Sequence, residues 1–261
     1  MSELKVWRSW LLSALPVAAI IVAGCSPSAP VASGPPPATA SQAAPPTTPP
    51  PGPVRLGSAP AYVALATRDV TVRNRPRGGR IVALFPARLP WGSPTPFLVR
   101  AAHRDTSGGT WLKVLLPRRP NESTGWVRSD QVRLVATSYQ VEVDLSDRTA
   151  RLLRHRRTVR RWQVGVGRPF TPTPTGQFFV TVKLRPPQIS TVYGAWALGL
   201  SGYSEVLEQF GTGDGQIALH GTGNAGDLGR EVSNGCVRMD NQTITDLAQT
   251  LPLGTPVTIR A

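Results

Sequence analysis

The chain has only two cysteines, Cys25 and Cys236, and only three histidines among its 261 residues. The histidines lie far apart in the sequence, and no Cys or His pair has the spacing of zinc ligands, so we expect no metal site and no cofactor. The formal net charge of +14 indicates anionic surroundings. Because the arginines are scattered and no nucleic-acid-binding motif accompanies them, we do not expect nucleic acid as a partner.

Long apolar runs are also missing. The apolar stretch Ser9–Ala23 is shorter than the ~20 residues that a transmembrane helix needs. It follows Lys5 and Arg8, as the apolar core of a secretion signal follows its positive region. The stretch leads into Val22-Ala23-Gly24-Cys25, which resembles a bacterial lipobox. This resemblance implies that residues 1–25 are a lipoprotein signal and that Cys25 becomes the lipidated first residue.

A lipid thioether on Cys25 consumes its thiol, so Cys25 would not form a disulfide with Cys236. The alternatives are a plain signal peptide and an uncleaved anchor. In each case the rest of the chain is expected outside the cytoplasm. The lipobox implies a lipid anchor on the outer face of the cell membrane, with the protein facing the cell wall or periplasm.

Residues 26–53 are dominated by Pro, Ala, Ser and Thr, and the whole chain has 27 prolines. Such a composition offers too little apolar surface to fold and favours extended conformations. We predict a disordered linker that holds the folded part away from the membrane.

Residues 54–137 contain short alternating apolar runs, broken by Gly and Pro at intervals typical of small all-β barrels. The pattern resembles a bacterial SH3-like module. The aromatic residues Trp91, Trp111 and Trp126 either line a ligand groove or belong to the core of the barrel. The runs predict strands at Tyr62–Leu65, Val70–Val72, Ile81–Leu84, Trp111–Leu116 and Trp126–Arg128.

Residues 138–261 indicate a second β-rich domain. Tyr139, Val141 and Val143 alternate with polar residues, as in a strand with one buried face. Further strands are predicted at 150–153, 159–166, 177–183, 216–220 and 257–260, with an exposed hairpin turn at 155–157. Two short helices are predicted, at Ser204–Phe210 and from Asp240 or Asn241 to Thr250. The fold class is mainly β: a small SH3-like barrel followed by a β-sandwich-like domain with two short helices.

His220 and Cys236 have the chemistry of a base and a nucleophile. His220 ends an apolar run where a strand meets a loop, and Cys236 follows Gly235 at a turn that enters a strand. A free thiol, with a pKa of about 8.5, is only slightly ionised at neutral pH, and a neighbouring imidazole activates it by accepting its proton. We predict that Cys236 is the nucleophile and that His220 is its acid–base partner.

The residues around Cys236 predict support for this reaction. The backbone N–H groups of Asn234, Gly235 and Cys236 form a candidate oxyanion hole, with Ser233 as a further supporting residue. Arg238 lies two residues beyond Cys236 along a strand and therefore on the same face. Its guanidinium there is suited to binding a substrate carboxylate.

His220-Gly221-Thr222 and Ser233-Asn234-Gly235-Cys236-Val237-Arg238-Met239 together resemble the signature of the L,D-transpeptidase (YkuD-type) catalytic domain. The resemblance covers residues 138–261 and extends to the stretches 171–176, 193–198 and 251–257. It implies a β-sandwich-like catalytic domain and substrate-binding roles for Tyr193, Trp196 and Gly221, in addition to Arg238.

The resemblance also implies a reaction. Cys236 would attack the carbonyl after the L-centre of diaminopimelate in a peptidoglycan stem tetrapeptide, and the terminal D-Ala would leave with a proton from His220. The thioester would pass to the diaminopimelate amine of a second stem, which gives a 3→3 crosslink. Carbapenem β-lactams would be expected to acylate Cys236.

The sequence departs from the family pattern at Asn234, where many members have a second histidine. An amide cannot transfer protons at this position, so His220 supplies the base. Two alternatives to a transpeptidase stay open at this point. One is an L,D-carboxypeptidase that uses the same pair with water as acceptor, and the other is a non-catalytic lipoprotein that binds the cell wall.

Overall fold

The computed structural model describes residues 52–186, 192–209 and 213–261. These residues form two eight-stranded sheets and one two-stranded pair. The architecture is therefore mainly β, as predicted. The signal segment with Cys25, and the linker as far as residue 51, lie outside the described residues.

The first sheet has the order β4-β3-β7-β6-β5-β2-β8, with β1 paired to β5 and every pairing antiparallel. Its closure into an SH3-like barrel stays a prediction. All five strands expected here are present, and β1, β5 and β8 were not foreseen. The strands are β1 (Gly52–Val54), β2 (Ala61–Ala66), β3 (Val70–Arg73), β4 (Ile81–Phe85), β5 (Pro96–Arg104), β6 (Thr110–Leu115), β7 (Thr124–Arg128) and β8 (Val132–Thr137).

The predicted boundary of the linker at residue 53 is wrong by two residues. Gly52 and Pro53 belong to β1, where they pair with Arg104 and His103 of β5. Proline is tolerated at this place because a short strand at the side of a sheet does not need every backbone N–H.

The three tryptophans of the first sheet have different environments. Trp111 is buried, and its Nε1 donates a hydrogen bond to Asp105 Oδ2 over 2.8 Å, so it belongs to the core. Trp126 is half-buried and packs edge-on against His103 at 6.1 Å between ring centres. Trp91 is exposed.

The second sheet has the order β11-β10-β9-β18-β13-β14-β15-β17, and β12 pairs with β16 beside it. Two of the pairings in the sheet are parallel, β9 with β18 and β15 with β17. The strands are β9 (Tyr139–Asp144), β10 (Thr149–Arg154), β11 (Arg157–Gln163), β12 (Val166–Gly167), β13 (Gly176–Leu184), β14 (Ala197–Tyr203), β15 (Gln216–Gly221), β16 (Glu231–Ser233), β17 (Val237–Met239) and β18 (Pro256–Arg260).

Strand β13 joins the two halves of the second sheet because it changes partner along its length. Residues 176–179 pair with β18, whereas residues 180–184 pair with β14. Buried side chains from both halves meet in one core, in which Phe178 and Val180 of β13 lie with Leu219 of β15 and Val237 of β17. This core holds two strands in place: β15, which carries His220, and β17, which directly follows Cys236.

Helix α1 (Asn241–Thr250) forms where the sequence predicts it. Asp240 caps its N-terminus, because the Asp240 side chain accepts a hydrogen bond from Thr243 N over 2.8 Å. Its apolar face packs into the core through Ile244 and Leu247. No helix in residues 52–186, 192–209 and 213–261 is long and apolar enough to cross a membrane.

The second predicted helix, Ser204–Phe210, is wrong over its described residues 204–209, which have no helical structure. Ser204 Oγ accepts hydrogen bonds from the backbone N–H of Leu207 at 3.0 Å and of Val206 at 3.4 Å. A side-chain acceptor of this kind competes with the helical pattern of backbone bonds. The Ser204 and Leu207 carbonyl groups also accept hydrogen bonds from Arg119, which lies in the loop between β6 and β7.

Candidate active site

Strands β15 and β17 bring His220 and Cys236 to the same face of the second sheet. Their parallel register pairs Leu219 with Val237 and His220 with Arg238, and Cys236 directly precedes β17. Residues in register point to the same face, and so do residues two apart along a strand. From the spacing of strands and of residues, the His220 and Cys236 Cα atoms are about 8 Å apart.

Both side chains line a cavity of about 600 Å³. Tyr193, Asn234 and Arg238 line the same cavity, so it contains most of the predicted site residues. Cys236 is half-buried and His220 is almost entirely buried. A cavity of this size with a few converging polar groups is typical of a ligand-binding site.

The turn before Cys236 is held by Ser233. Ser233 Oγ donates to the Cys236 carbonyl over 2.6 Å and accepts from Gly235 N–H over 3.1 Å. Gly235 has a φ of 111°, a region that residues with a side chain rarely adopt, so glycine is required here. The prediction for the oxyanion hole therefore needs a correction: Gly235 N–H is already bonded to Ser233, and the candidate donors reduce to Asn234 and Cys236.

The Asn234 side chain is held by a segment that the sequence analysis did not assign to the site. Asn234 Oδ1 accepts from Arg168 Nη1 at 3.2 Å and from Thr171 Oγ1 at 3.4 Å. Arg168 N–H and Thr171 Oγ1 also donate to the Ser233 carbonyl, at 3.0 and 3.1 Å. Residues 168–171 thus support the turn that presents Cys236. The matching stretch at residues 171–176 was the signal that pointed to this role.

The His220 ring has a defined orientation. Its Nδ1 lies 2.7 Å from the Gly221 carbonyl, and its ring packs edge-on against Tyr193 at 5.2 Å between centres. Because a carbonyl only accepts, Nδ1 carries the proton in the neutral imidazole and Nε2 keeps its lone pair. The neutral ring is therefore set up to accept a proton at Nε2.

Burial lowers the pKa of His220 to about 4. Loss of solvation is the main cause, and the positive charge of Arg238 acts in the same direction. The hydrogen bond to Gly221 and the negative charge of Asp227 oppose it. His220 is consequently a neutral imidazole at neutral pH.

Burial also raises the pKa of the Cys236 thiol, while a backbone hydrogen bond with Ala218 and the charge of Arg238 act to lower it. The resting pair is therefore a thiol and a neutral imidazole. The two groups line one cavity, and the hydrogen bond that His220 makes is from Nδ1 to the Gly221 carbonyl, which leaves Nε2 available. Hydrogen bonds between a nucleophile and its base are often long in the absence of substrate.

Arg238 has a partner that the sequence analysis missed. Its Nη1 lies 2.8 Å from Asp227 Oδ2, and both side chains are largely buried. Asp227 also accepts from Thr222 Oγ1 at 2.6 Å and from Asn224 Nδ2 at 3.1 Å. The predicted role of Arg238 needs revision, because part of its guanidinium is already bound to a carboxylate of the protein. Its position in the loop between the base and the nucleophile was the one signal for Asp227.

Gly221 and Trp196 are not among the residues that line the cavity, so their predicted roles in substrate binding stay predictions. Trp196 packs against the core and lies 5.9 Å from the Arg185 guanidinium. A Cβ at Gly221 would come within 3.0 Å of the Gly194 Cα and would collide with the Asn241 side chain. Gly221 therefore permits close packing against Gly194 and Ala195, which directly follow Tyr193. Tyr193 itself does line the cavity.

Asn241 is a further residue that the sequence analysis did not assign to the site. Its Oδ1 accepts from Ala195 N–H over 2.8 Å, which connects the start of α1 to the segment that carries Tyr193. In the described residues no group of three or more His, Cys, Asp or Glu side chains is placed to hold a metal ion.

The fold and the cavity define a mainly β domain in which a thiol and an imidazole line one cavity. Residues 138–259 match the model of the YkuD family, described as the L,D-transpeptidase catalytic domain. The protein named L,D-transpeptidase YkuD in Bacillus licheniformis is 32% identical to this chain over 157 residues. The match covers 58% of this chain and 87% of that protein. The chain therefore belongs to the L,D-transpeptidase (YkuD) family.

Another relative and a solved structure are also similar to this chain. YkuD of Bacillus subtilis is 34% identical over 46% of this chain and 65% of its own length. Among solved structures, an L,D-transpeptidase from Mycobacterium tuberculosis is 15% identical with a TM-score of 0.41, and the match covers 59% of this chain and 90% of that one.

Proposed function

We propose that the protein is a peptidoglycan L,D-transpeptidase that forms 3→3 crosslinks through a thioester on Cys236, with His220 as general acid and base. The observation that carries the proposal is the placement of His220 and Cys236 on one face of β15 and β17, at a common cavity. Membership of the L,D-transpeptidase family supports the reaction class.

In the acylation step, Cys236 Sγ attacks the carbonyl carbon that follows the L-centre of diaminopimelate in a stem tetrapeptide. The thiol proton passes to Nε2 of His220 as the C–S bond forms. His220 then donates this proton to the nitrogen of the departing D-Ala. The Asn234 and Cys236 N–H groups are the proposed donors to the oxyanion.

In the transfer step, the diaminopimelate side-chain amine of a second stem attacks the thioester. His220, now neutral, accepts a proton from that amine, and Cys236 leaves as a thiolate that is reprotonated. The charge of Arg238 lowers the pKa of Cys236 and so favours the thiolate that forms in this step. Asp227 holds Arg238 in the position where it can do this.

The cellular arrangement is part of the proposal. Cys25 would carry a lipid anchor on the outer face of the cell membrane, and residues 26–51 would span from it to the folded part, which faces the wall. A Cys25→Ser variant should then leave the membrane fraction, and its intact mass should lack the lipid that the unmodified chain carries. An unchanged membrane association would point to an uncleaved apolar anchor.

Product analysis tests the proposed reaction. The purified protein is incubated with disaccharide tetrapeptide, and fragmentation mass spectrometry identifies dimers that are linked between two third-position residues. We expect Cys236→Ser to lower dimer formation by about 10⁴-fold or more, because it removes the nucleophile. The matched control is Cys25→Ser, which removes the other cysteine and should retain activity.

The outcomes separate the alternatives. Release of D-Ala without dimers would assign the site to hydrolysis as a carboxypeptidase. Unchanged crosslinking in Cys236→Ala would end the enzyme proposal in favour of a wall-binding protein. A carbapenem adduct that forms on the protein and is absent from Cys236→Ser would give independent support to the nucleophile.

A further inference from the structure

The loop between β6 and β7 reaches from the first sheet to the second. We call residues 117–122 of this loop the clamp loop. Arg119 Nη1 donates to the Ser204 carbonyl over 2.6 Å, and Arg119 Nη2 donates to the carbonyls of Leu207 at 2.8 Å and Asp214 at 3.1 Å. One guanidinium therefore holds three backbone carbonyl groups in two stretches of chain.

Asn121 adds a second attachment. Its Nδ2 donates to the Tyr203 carbonyl and its Oδ1 accepts from Tyr203 N–H, both over 2.8 Å. The Tyr203 ring lies 5.1 Å from the Arg119 guanidinium carbon, and its hydroxyl donates to the Pro117 carbonyl at 3.3 Å. The Asn121 side chain thus bonds both backbone groups of Tyr203, as a residue of a neighbouring strand would. Tyr203, at the end of β14, also pairs with Gln216 of β15.

The residues that the clamp loop holds are part of the cavity wall. Ser204, Leu207, Asp214 and Gly215 line the same cavity as His220 and Cys236. The wall is closely packed against the clamp: a Cβ at Gly215 would lie 2.7 Å from Arg119 Nη2. Arg119 is not among the lining residues. It acts on the cavity through the residues that it holds.

From these contacts we infer that Arg119 and Asn121 are positioning residues for substrate: the clamp loop sets the shape of the cavity wall at residues 203–207 and 214–215. This inference rests on the proposed function, because the wall is taken to bind the stem peptide. The family match begins at residue 138, so the clamp loop lies outside the recognised catalytic domain. The first sheet then has a role in substrate binding, in addition to any role in attachment to the bacterial cell wall.

The chemistry of arginine suits this position. Residues 204–209 have no helical or strand structure to use their carbonyl groups, so these carbonyls are available to a side-chain donor. A planar guanidinium has five donors in a rigid arrangement and can bind several carbonyls at once. A lysine ammonium is a compact point charge on a flexible chain, so Arg119→Lys should preserve the charge and lose part of the positioning.

The test compares Arg119→Ala, Arg119→Lys and Asn121→Ala with the matched control Arg118→Ala. Arg118 is adjacent in sequence, but its Nη1 donates to the Val82 carbonyl at 2.7 Å, a contact within the first sheet. Three quantities are measured: kcat and KM for the stem tetrapeptide, the rate of Cys236 alkylation by iodoacetamide, and backbone hydrogen exchange at 203–209 and 213–215. Thermal unfolding confirms that each variant is folded.

For Arg119→Ala we expect about a tenfold rise in KM, because the substrate must then order the wall itself. We expect kcat and the alkylation rate to stay within about twofold, since neither reacting group contacts Arg119. Exchange at 203–209 and 213–215 should become faster. Asn121→Ala should make backbone hydrogen exchange at Tyr203 faster. The KM and exchange rates of Arg119→Lys should lie between those of Arg119→Ala and those of the unchanged protein. Arg118→Ala should leave all three quantities unchanged.

Two results would overturn the inference: an Arg119→Ala variant with unchanged exchange in the wall, or an Arg118→Ala variant with the same rise in KM. Failure of the proposed function looks different. The unchanged protein would then fail to turn over the tetrapeptide, while exchange in the wall would still distinguish Arg119→Ala from Arg118→Ala. That result would support the clamp and refute the transpeptidase.

Discussion

Each of the two β-rich regions has one buried aspartate, Asp105 in the first and Asp227 in the second. The two carboxylates bind different kinds of partner. In the first sheet, Asp105 accepts from Trp111 Nε1 at 2.8 Å and from the backbone N–H groups of Ser107 and Gly109, each at 2.9 Å. All three donors lie within six residues, so Asp105 closes a turn. In the second sheet, the donors to Asp227 include Arg238, which lines the cavity.

The comparison shows that burial of a carboxylate does not by itself identify a functional site. Both carboxyl groups have a lowered pKa: a hydrogen bond from Trp111 is the main cause for Asp105. For Asp227, loss of solvation is the largest influence and raises the pKa, and hydrogen bonds from Thr222 and Arg238 outweigh it. The two aspartates differ in the place of their hydrogen-bond donors. The donors to Asp105 all lie in the six residues that follow it, whereas Arg238, a donor to Asp227, lines the cavity.

The largest expected effect concerns the base of the second sheet. We expect His220→Gln to slow acylation of Cys236 by a carbapenem by about 10²–10⁴-fold, the usual contribution of a general base. The rate is followed by intact-mass spectrometry. His155→Gln is the control, because His155 lies in an exposed turn between β10 and β11. Equal rates in the two variants would remove His220 from the mechanism.

The pH dependence of stability should also mark the second sheet. The unfolded imidazole titrates at 6.5 and buried His220 at about 4, so between these values the unfolded state binds more protons. Stability from His220 is therefore present above pH 6.5 and is lost as the pH falls towards 4, by about 3 kcal/mol in total.

Denaturant unfolding at pH 7 and pH 4, for the unchanged protein and for His220→Gln, isolates this contribution. The variant should lose about 3 kcal/mol less than the unchanged protein over the same pH range. Equal losses would show that His220 titrates in the folded protein as it does in the unfolded chain.

A matched pair of substitutions tests the comparison of the aspartates directly. Asp227→Asn leaves the largely buried Arg238 without its carboxylate, which should cost about 3 kcal/mol of stability and slow acylation of Cys236. Asp105→Asn should lower the unfolding temperature and leave the acylation rate unchanged. If both variants slowed acylation equally, the distinction between a closed turn and a cavity support would be lost.

The smallest effect is expected at the end of α1, an element with no counterpart in the first sheet. Lys183 Nζ donates to the carbonyls of Ala248 at 2.8 Å and Leu251 at 3.0 Å, where a helix end favours positive charge. Burial lowers the pKa of Lys183 and offsets part of this gain. Lys183→Met should therefore cost about 1 kcal/mol, measured by denaturant unfolding. A cost of zero would mean that burial cancels the helix-end interaction.

Local patterns were sufficient for several elements. Alternation of Val141 and Val143 with polar residues identified β9, in which both valines are fully buried. Asp240 identified the start of α1 because a capping side chain acts within one turn of the helix. The motifs around His220 and Cys236 identified the family and pointed to the thiol and imidazole that line one cavity. These short segments are brought together by the pairing of two parallel strands.

Strand β14 shows why other elements were missed. It contains Gly199 and Gly202, which in a sequence indicate a break or bulge. In the folded chain a Cβ at Gly202 would lie 2.5 Å from the Phe178 ring, and a Cβ at Gly199 would lie 2.8 Å from the Val182 side chain. The glycines are there because β13 packs closely against β14, and that contact involves residues far apart in the chain.

Chain-local chemistry accounts for the strands, the capped helix, the family motifs and the identity of the thiol and the imidazole. The pairing of Arg238 with Asp227, the bonding of Gly235 N–H to Ser233 and the hold of Arg119 on the cavity wall depend on the folded arrangement. Some of these contacts join segments that lie far apart in the sequence. In others, several acceptors are available to one donor. In both cases the sequence does not show which partner is used, and the packing of the folded chain decides it. The thiol and the imidazole thus come from two short motifs, and the inferred shape of the cavity depends on both sheets.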